Sequence, residues 1–364
     1  MPLLDFTSAL YLGLRHPSPS LRPWSGLTTG KPAALESPPG GAIIAGKFAA
    51  LTGCERATPV ASTLHLFWDL FGSLARDQVR IYMDEGTYAI ARWGVERAAA
   101  RGVPVRRFPH HDPATLQNLI EQDRHAGQRP VVVSDGFCPA CGGAAPATEY
   151  LRCIEAHGGH LVLDDTQALG LLGKQGGAPY GQGGGGSLRW QGIRSPAVIV
   201  GSSLAKGFGV PMAMLAGSAS LIRRFEARSE TRVHCSPPSL ASLHAAEHAL
   251  AINRTDGDRL RQTLAQLVRR FRAGLRAIGL AADGGLFPVQ ILRPAGVAAD
   301  VLYERLLRLG IRTVVIRRCR QIGAQVAFLI TALHRSSDID RAVEAIGRAM
   351  TFDHSVLQLK GRAS

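Results

Sequence analysis

Near-continuous apolar runs alternate along this chain with stretches in which apolar residues recur every three or four positions. The runs RATPVAS, QVRIYMD, VPVRRF, PVVVSDG, HLVLDD, PAVIVGS and MAMLAGS have the content of strands buried on both faces. The intervening helical periodicity predicts helices over 64–75, 89–101, 113–126 and 146–157. Strand and helix in this alternation indicate an α/β fold with a mostly parallel sheet covered by helices on both sides.

The two ends of the chain read differently. Residues 1–41 are rich in Pro, Ser and Gly, which predicts an arm with little regular structure lying on something larger. The stretch 173–190, GKQGGAPYGQGGGGSLRW, has the composition of a mobile loop that forms neither strand nor stable helix. After Pro237-Pro238 a long helix is expected over 240–278, broken near Asp256-Gly257. Shorter strands (LFPVQIL, IRTVVIR, VAFLITA) then alternate with helices over 300–309 and 337–350. The expected organisation is an arm, 1–41; a large domain, 42–245; and a smaller α+β domain, 246–364.

Composition changes this picture little. With 364 residues, 46% of them hydrophobic, the chain can bury a large core, and no run approaches the length of a membrane span. The opening MPLLDFTSAL lacks the charged start and apolar centre of a signal peptide, so a cytoplasmic location is expected. Among six cysteines, Cys138 and Cys141 have the two-residue spacing of zinc ribbons and redox motifs. No second such pair exists, and His157 and His160 are too loosely placed to complete a ligand set, so no metal site is expected. The formal charge of +14 comes from arginines spread along the chain without aromatic interleaving. Solvated faces fit it better than a nucleic-acid partner, and steering of an anionic substrate is a third reading.

Two apolar strands end in chemistry. GGHLVLDDTQALG delivers Asp164, and AVIVGSSLAKGFG delivers Lys206 after a small-residue turn. A surface lysine after a strand is the plain alternative, but a buried carboxylate needs a cationic partner. A pyridine aldehyde cofactor would use both: the lysine as a Schiff base, the carboxylate to keep the ring nitrogen protonated. In VASTLHLFWDLFGSLA, Ser62 and Thr63 open an apolar helix whose first amides suit a phosphate, and Ser203 could add a donor.

From DFTSALYLGL through ASTL, DEGTYAI, FPHHD, SDGFCPACGGAAP, LVLDDTQALGLLG and SSLAKGFGVPMAMLAGS to SPP, VVIRR and ITALHRSSDID, the chain resembles the α-oxoamine synthases of the aspartate aminotransferase-like fold. The resemblance implies pyridoxal 5′-phosphate, with Lys206 forming the internal aldimine and Asp164 pairing with the pyridine nitrogen. It implies that Ser203 and the amides of Thr63 and Leu64 hold the phosphate, with Asp135 near the cofactor. Arg317 would bind the substrate carboxylate, a task suited to a bidentate guanidinium. His234, before SPP, would reach the phosphate of a neighbouring subunit, so the resemblance implies a homodimer with shared active sites. An amino acid and an acyl-CoA or acyl-carrier thioester are the implied substrates.

The departures from the family pattern bear on the reaction. Tyr88 stands where the family has a stacking histidine; tyrosine stacks but is a poor base at neutral pH. Gln167 replaces the histidine that contacts the ring hydroxyl, and Ala9 replaces an asparagine. An aminotransferase is therefore the alternative within the same cofactor chemistry, and a non-catalytic homologue the alternative outside it. His110-His111-Asp112 is read as structural.

Overall fold

In the computed structural model, which describes residues 3–293, 296–317 and 323–360, all seven large-domain strand runs join one sheet. They are β1 (Arg56–Val60), β2 (Val79–Asp84), β3 (Val105–Phe108), β4 (Arg129–Asp135), β5 (His160–Asp164), β6 (Val198–Ser203) and β7 (Ala213–Gly217). Their order is β1-β7-β6-β5-β4-β2-β3. The run from β6 to β3 is parallel, and β7 is antiparallel to both β6 and β1. Two reversals restore direction, so β1 ends on the same edge of the sheet as β5 and β6.

Helices cover both faces because side chains alternate along each strand. Val131, Val133, Val162 and Ile199 pack with Phe67 and Phe71 of α2 (Thr63–Leu74), Val95 of α3 (Ala89–Ala100) and Phe225 of α7 (Ala219–Arg228). Val132, Leu161, Leu163 and Val200 face the opposite way, onto Leu116 and Ile120 of α4 (Pro113–Asp123) and Tyr150 and Ile154 of α5 (Ala147–Glu155). Helix α1 (Gly41–Thr52) was not expected from the sequence; Gly40 precedes it in a left-handed conformation, with no side-chain cap to announce it.

The chain divides into two compact units, 14–138 with 144–258, and 1–13 with 139–143 and 259–364. The expected change at 245 falls inside α9 (Leu240–Thr255), which belongs wholly to the first unit. Its Glu247 pairs with Lys47 of α1 at 3.2 Å. Residues 14–40 lie on the same unit with little regular structure: Leu240 N donates to Leu27 O (2.9 Å) and Ala34 N to Arg232 O (3.0 Å). The second unit contains β8 (Ala282–Asp283), β9 (Val289–Leu292), β10 (Val314–Arg317) and β11 (Ala324–Leu329) in an antiparallel sheet of order β8-β9-β11-β10. Its helices include α10 (Gly257–Ala277) from residue 259 onward, α11 (Ala299–Arg308) and α12 (Ser336–Lys360).

The glycine-rich stretch departs from expectation. Gly183 N donates to Asp258 Oδ1 and its carbonyl accepts from Asn253 Nδ2, both at 2.9 Å. Lys174 and Gln182 exchange backbone bonds, Tyr180 is buried, and Ser187–Gln191 forms a short helix, α6. The glycines allow tight backbone-to-backbone approaches here, so the segment is stapled down rather than free.

Candidate active site

The parallel register sets Asp135 directly opposite Asp164, and Asp164 opposite Gly201, at the carboxyl ends of β4, β5 and β6. Ligands of open α/β sheets bind at this edge. Asp164 is 5% exposed, and its Oδ1 accepts from Thr166 N at 3.1 Å. Thr166 Oγ1 in turn accepts from Ser203 N at 2.9 Å, which ties the end of β6 to the loop after β5.

Lys206 follows β6 by three residues and is half-buried. A Cβ on Gly207 would lie 2.2 Å from Leu169 O and 3.0 Å from Gly170 Cα. Only glycine lets the two loops cross this closely, and the crossing keeps Lys206 beside the β5 carboxylate. Burial lowers the lysine's pKa, opposed by the charges of Asp164 and Asp135. Burial raises Asp164, opposed by the Thr166 bonds and by Lys206. Asp135 is pushed well up by burial and by Asp164, against a bond accepted from Tyr88 N at 2.9 Å. The Tyr88 ring centroid is 6.0 Å from Lys206 Nζ, and the ring is exposed.

Ser62 caps α2, its Oγ accepting from His65 N (3.4 Å) and bonding His65 Nδ1 (2.8 Å). That satisfies His65 locally. The first-turn amides of Thr63 and Leu64 have no partner within the helix by construction, and they sit on the sheet edge that carries Asp164 and Ser203. Ser203 Oγ accepts from Ala205 N at 3.3 Å, within the Lys206 turn. Gln167 is half-buried three residues after Asp164.

Two expected residues stand apart. His234 ends the short helix α8 (Thr231–His234) and is exposed; among the described residues no hydrogen bond ties it to the Lys206 group. Arg317 ends β10, and its side chain, like Arg318 and Arg320, lies outside the described residues.

Sequence reasoning passed over Asp165 and Thr166. Asp165 is 1% exposed, accepts from Ser187 N at 3.0 Å, and is pushed up to about 7 by burial. The acidic doublet at a strand end was the available signal.

Buried Asp164 and half-buried Asp135 thus both act by their charge on Lys206, and a protonated pyridine nitrogen would supply a second cation among them. With an amine for an aldehyde, an aromatic ring beside it and helix amides for a phosphate, the residues fit pyridoxal phosphate.

Residues 67–346 match the family described as aminotransferase class I and II. The 8-amino-7-oxononanoate synthase of Alcanivorax borkumensis is 31% identical over 69% of this chain and 63% of its own length, so the match spans less than two thirds of that relative. The synthase of the same name from Halorhodospira halophila is 30% identical over 83% of this chain and 73% of its own. In structure, the serine palmitoyltransferase from S. paucimobilis with bound PLP-myriocin aldimine superposes with a TM-score of 0.82 at 15% identity, covering 95% of this chain and 87% of that one. No helix among the described residues is long and apolar enough to cross a membrane. The sheet topology, the lysine and carboxylate at its edge, and these matches agree: the chain belongs to the class I and II aminotransferase family of pyridoxal phosphate enzymes, in its α-oxoamine synthase branch.

Proposed function

We propose that the chain is a pyridoxal 5′-phosphate-dependent transferase that joins an amino acid to an acyl-CoA or acyl-carrier thioester, as a cytoplasmic homodimer. The observation that carries this reading is Lys206 held beside Asp164 and Asp135 at the carboxyl edge of the sheet. When bound, the cofactor supplies an electron sink for charge released at the amino acid Cα. Lys206 would attach it covalently and, with its basicity lowered by burial, hold and move the Cα proton. Asp164 would keep a proton on the ring nitrogen. Asp135, through the Tyr88 amide, would set the aromatic ring that stacks on the cofactor. Ser62, Ser203 and the Thr63 and Leu64 amides would bind phosphate, and Gln167 would donate to the ring hydroxyl. Arg317 would bind the substrate carboxylate, and His234 would serve the other copy of the dimer.

The test uses the full chain loaded with the cofactor, a panel of amino acids and acyl-CoA donors, and a reagent for free thiol. Amino-acid-dependent thiol release that disappears in Lys206→Ala is the expected result. Conversion to the pyridoxamine absorbance without any thioester would instead favour an aminotransferase, the reading that Tyr88 in place of a histidine keeps open. Neither signal with any amino acid would overturn the catalytic reading.

A further inference from the structure

The arm before α1 reaches the Lys206 turn through one side chain. His16 is half-buried, and its Nε2 stands 2.7 Å from the carbonyl oxygen of Phe208, two residues past the lysine. A carbonyl can only accept, so this nitrogen carries the proton. His16 Nδ1 is then a lone pair, and it lies 3.0 Å from Nδ1 of His248 on α9, which must donate there. The two hydrogen bonds fix both tautomers, and the rings meet edge to face with centroids 5.3 Å apart. All of these groups lie within the first unit.

The backbone supports the same contact. Gly209 has a φ of 67°, and a Cβ on it would lie 2.2 Å from Leu14 O, so only glycine lets the arm lie this close to the turn. The Phe208 ring is fully buried and meets Phe48 of α1 edge to face at 5.4 Å. Within the turn, the amides of Phe208 and Val210 both donate to Leu204 O, at 3.1 and 3.2 Å. His16 supplies the donor for the Phe208 carbonyl and ties the turn to the arm and to α9 together.

This junction accepts one extra proton but not two. The first goes to His248 Nε2 and leaves both hydrogen bonds in place. A second must go to His16 Nδ1, where it meets the proton on His248 Nδ1 head on. Burial and the charge of His248 hold His16 below the ordinary histidine value, against the bond to Phe208. Of the other charged groups on the elements that meet here, Glu247 of α9 pairs with Lys47 of α1 at 3.2 Å and with Arg22 of the arm at 3.6 Å, Arg15 is exposed, and Lys206 lies under the charges of Asp164 and Asp135. A histidine held below its ordinary value binds a proton more readily once released, so the junction is complete at neutral pH and is lost as pH falls.

We propose that His16 is a positioning residue for Lys206, holding the turn that carries the lysine while its Nδ1 is unprotonated and releasing that turn when acid adds the second proton. The inference rests on the reading of Lys206 as the amine that holds the cofactor.

The test uses the full chain and two readouts. In the cofactor-free protein, hydrogen exchange of the peptide covering 204–210 follows the turn by mass; in the loaded protein, an absorbance titration gives the affinity for pyridoxal phosphate. At about pH 8, His16→Ala should speed exchange and weaken cofactor binding about fivefold, the worth of one hydrogen bond. His16→Gln can set an amide that does not titrate against the Phe208 carbonyl, and it should restore most of that loss. From about pH 8 to about pH 5 the native chain should fall toward His16→Ala in both readouts while His16→Gln does not follow, so the ratio of native to His16→Gln affinity changes by about fivefold. Taking the ratio at each pH cancels the titration of Lys206 and of the carboxyls beside it. A histidine that only packs would leave the ratio flat. The proposal is overturned by a flat ratio, by His16→Ala matching the native chain at about pH 8, or by His16→Gln doing no better than His16→Ala. Should His16→Ala fail to fold, the ratio decides alone. If the exchange readout responds to pH as expected but the native chain takes up no cofactor, the reading of Lys206 falls while the hold of His16 on the turn stands.

Discussion

At the scale of single residues, the chemistry rests on groups whose protonation is set by burial. Lys206→Ala is expected to remove the borohydride-reducible link to the cofactor and to lower turnover by at least about a thousandfold, measured as thiol release. Asp165 gives a separate pH signature. Folded, it titrates near 7; unfolded, an aspartate titrates near about 3.9. Between those values the folded chain keeps a proton that the unfolded chain gives up, so this group makes stability fall as pH rises through the window. Asp165→Asn removes that slope, and its stability relative to the native chain should increase from about pH 5 to about pH 8, read by thermal melts. Asp164 stands out in the sequence because it ends a buried run, and Lys206 because a small-residue turn carries it just past the next one. Thr166, which bonds Asp164 and Ser203, was not, because its role depends on two strands meeting. The Asp84–His110 pair was equally hidden: in sequence the histidine belongs to a surface-like HHD, and only the β2–β3 register, Asp84 opposite Phe108, brings it to the carboxylate.

Between elements, the same carboxylate joins the end of β2 to the loop after β3, to β4 and to α5. Asp84→Asn leaves several donors facing a neutral amide and should cost about 3–5 kcal/mol in denaturant unfolding, as for other broken buried pairs. Helices α2 and α3 meet at Gly94, where a Cβ would lie 2.7 Å from Phe67 O and 2.5 Å from the Phe71 ring. Gly94→Ala should therefore destabilise by about 1–3 kcal/mol through overpacking, seen as a lowered midpoint with an unchanged denaturant slope. The sheet could be read from the sequence because parallel strands are apolar throughout. Helix α7 was missed although Ser218 caps it, its Oγ accepting from Leu221 N at 3.4 Å, a local signal that was present. Helix α1 offered no comparable mark.

For the whole molecule, cofactor binding and folding are linked. At a hundredfold excess over its dissociation constant, pyridoxal phosphate should add about 2.7 kcal/mol to the stability of the native chain, and calorimetry with and without it reads the shift. Sequence character changes after Pro237-Pro238, yet the first unit runs on to residue 258, with α9 anchored by Glu247 to Lys47 and by Asn253 to Gly183. The tether of the glycine-rich stretch carries a further consequence. Gly183 is fixed from both sides, and four residues later Ser187 supplies the amide that holds Asp165. The intervening glycines therefore act as a ruler. Lengthening or shortening them by one residue would move Ser187 out of register with the acid next to Asp164, so a segment of spacer-like composition should tolerate substitution of its side-chain-free positions poorly and changes in its length worse.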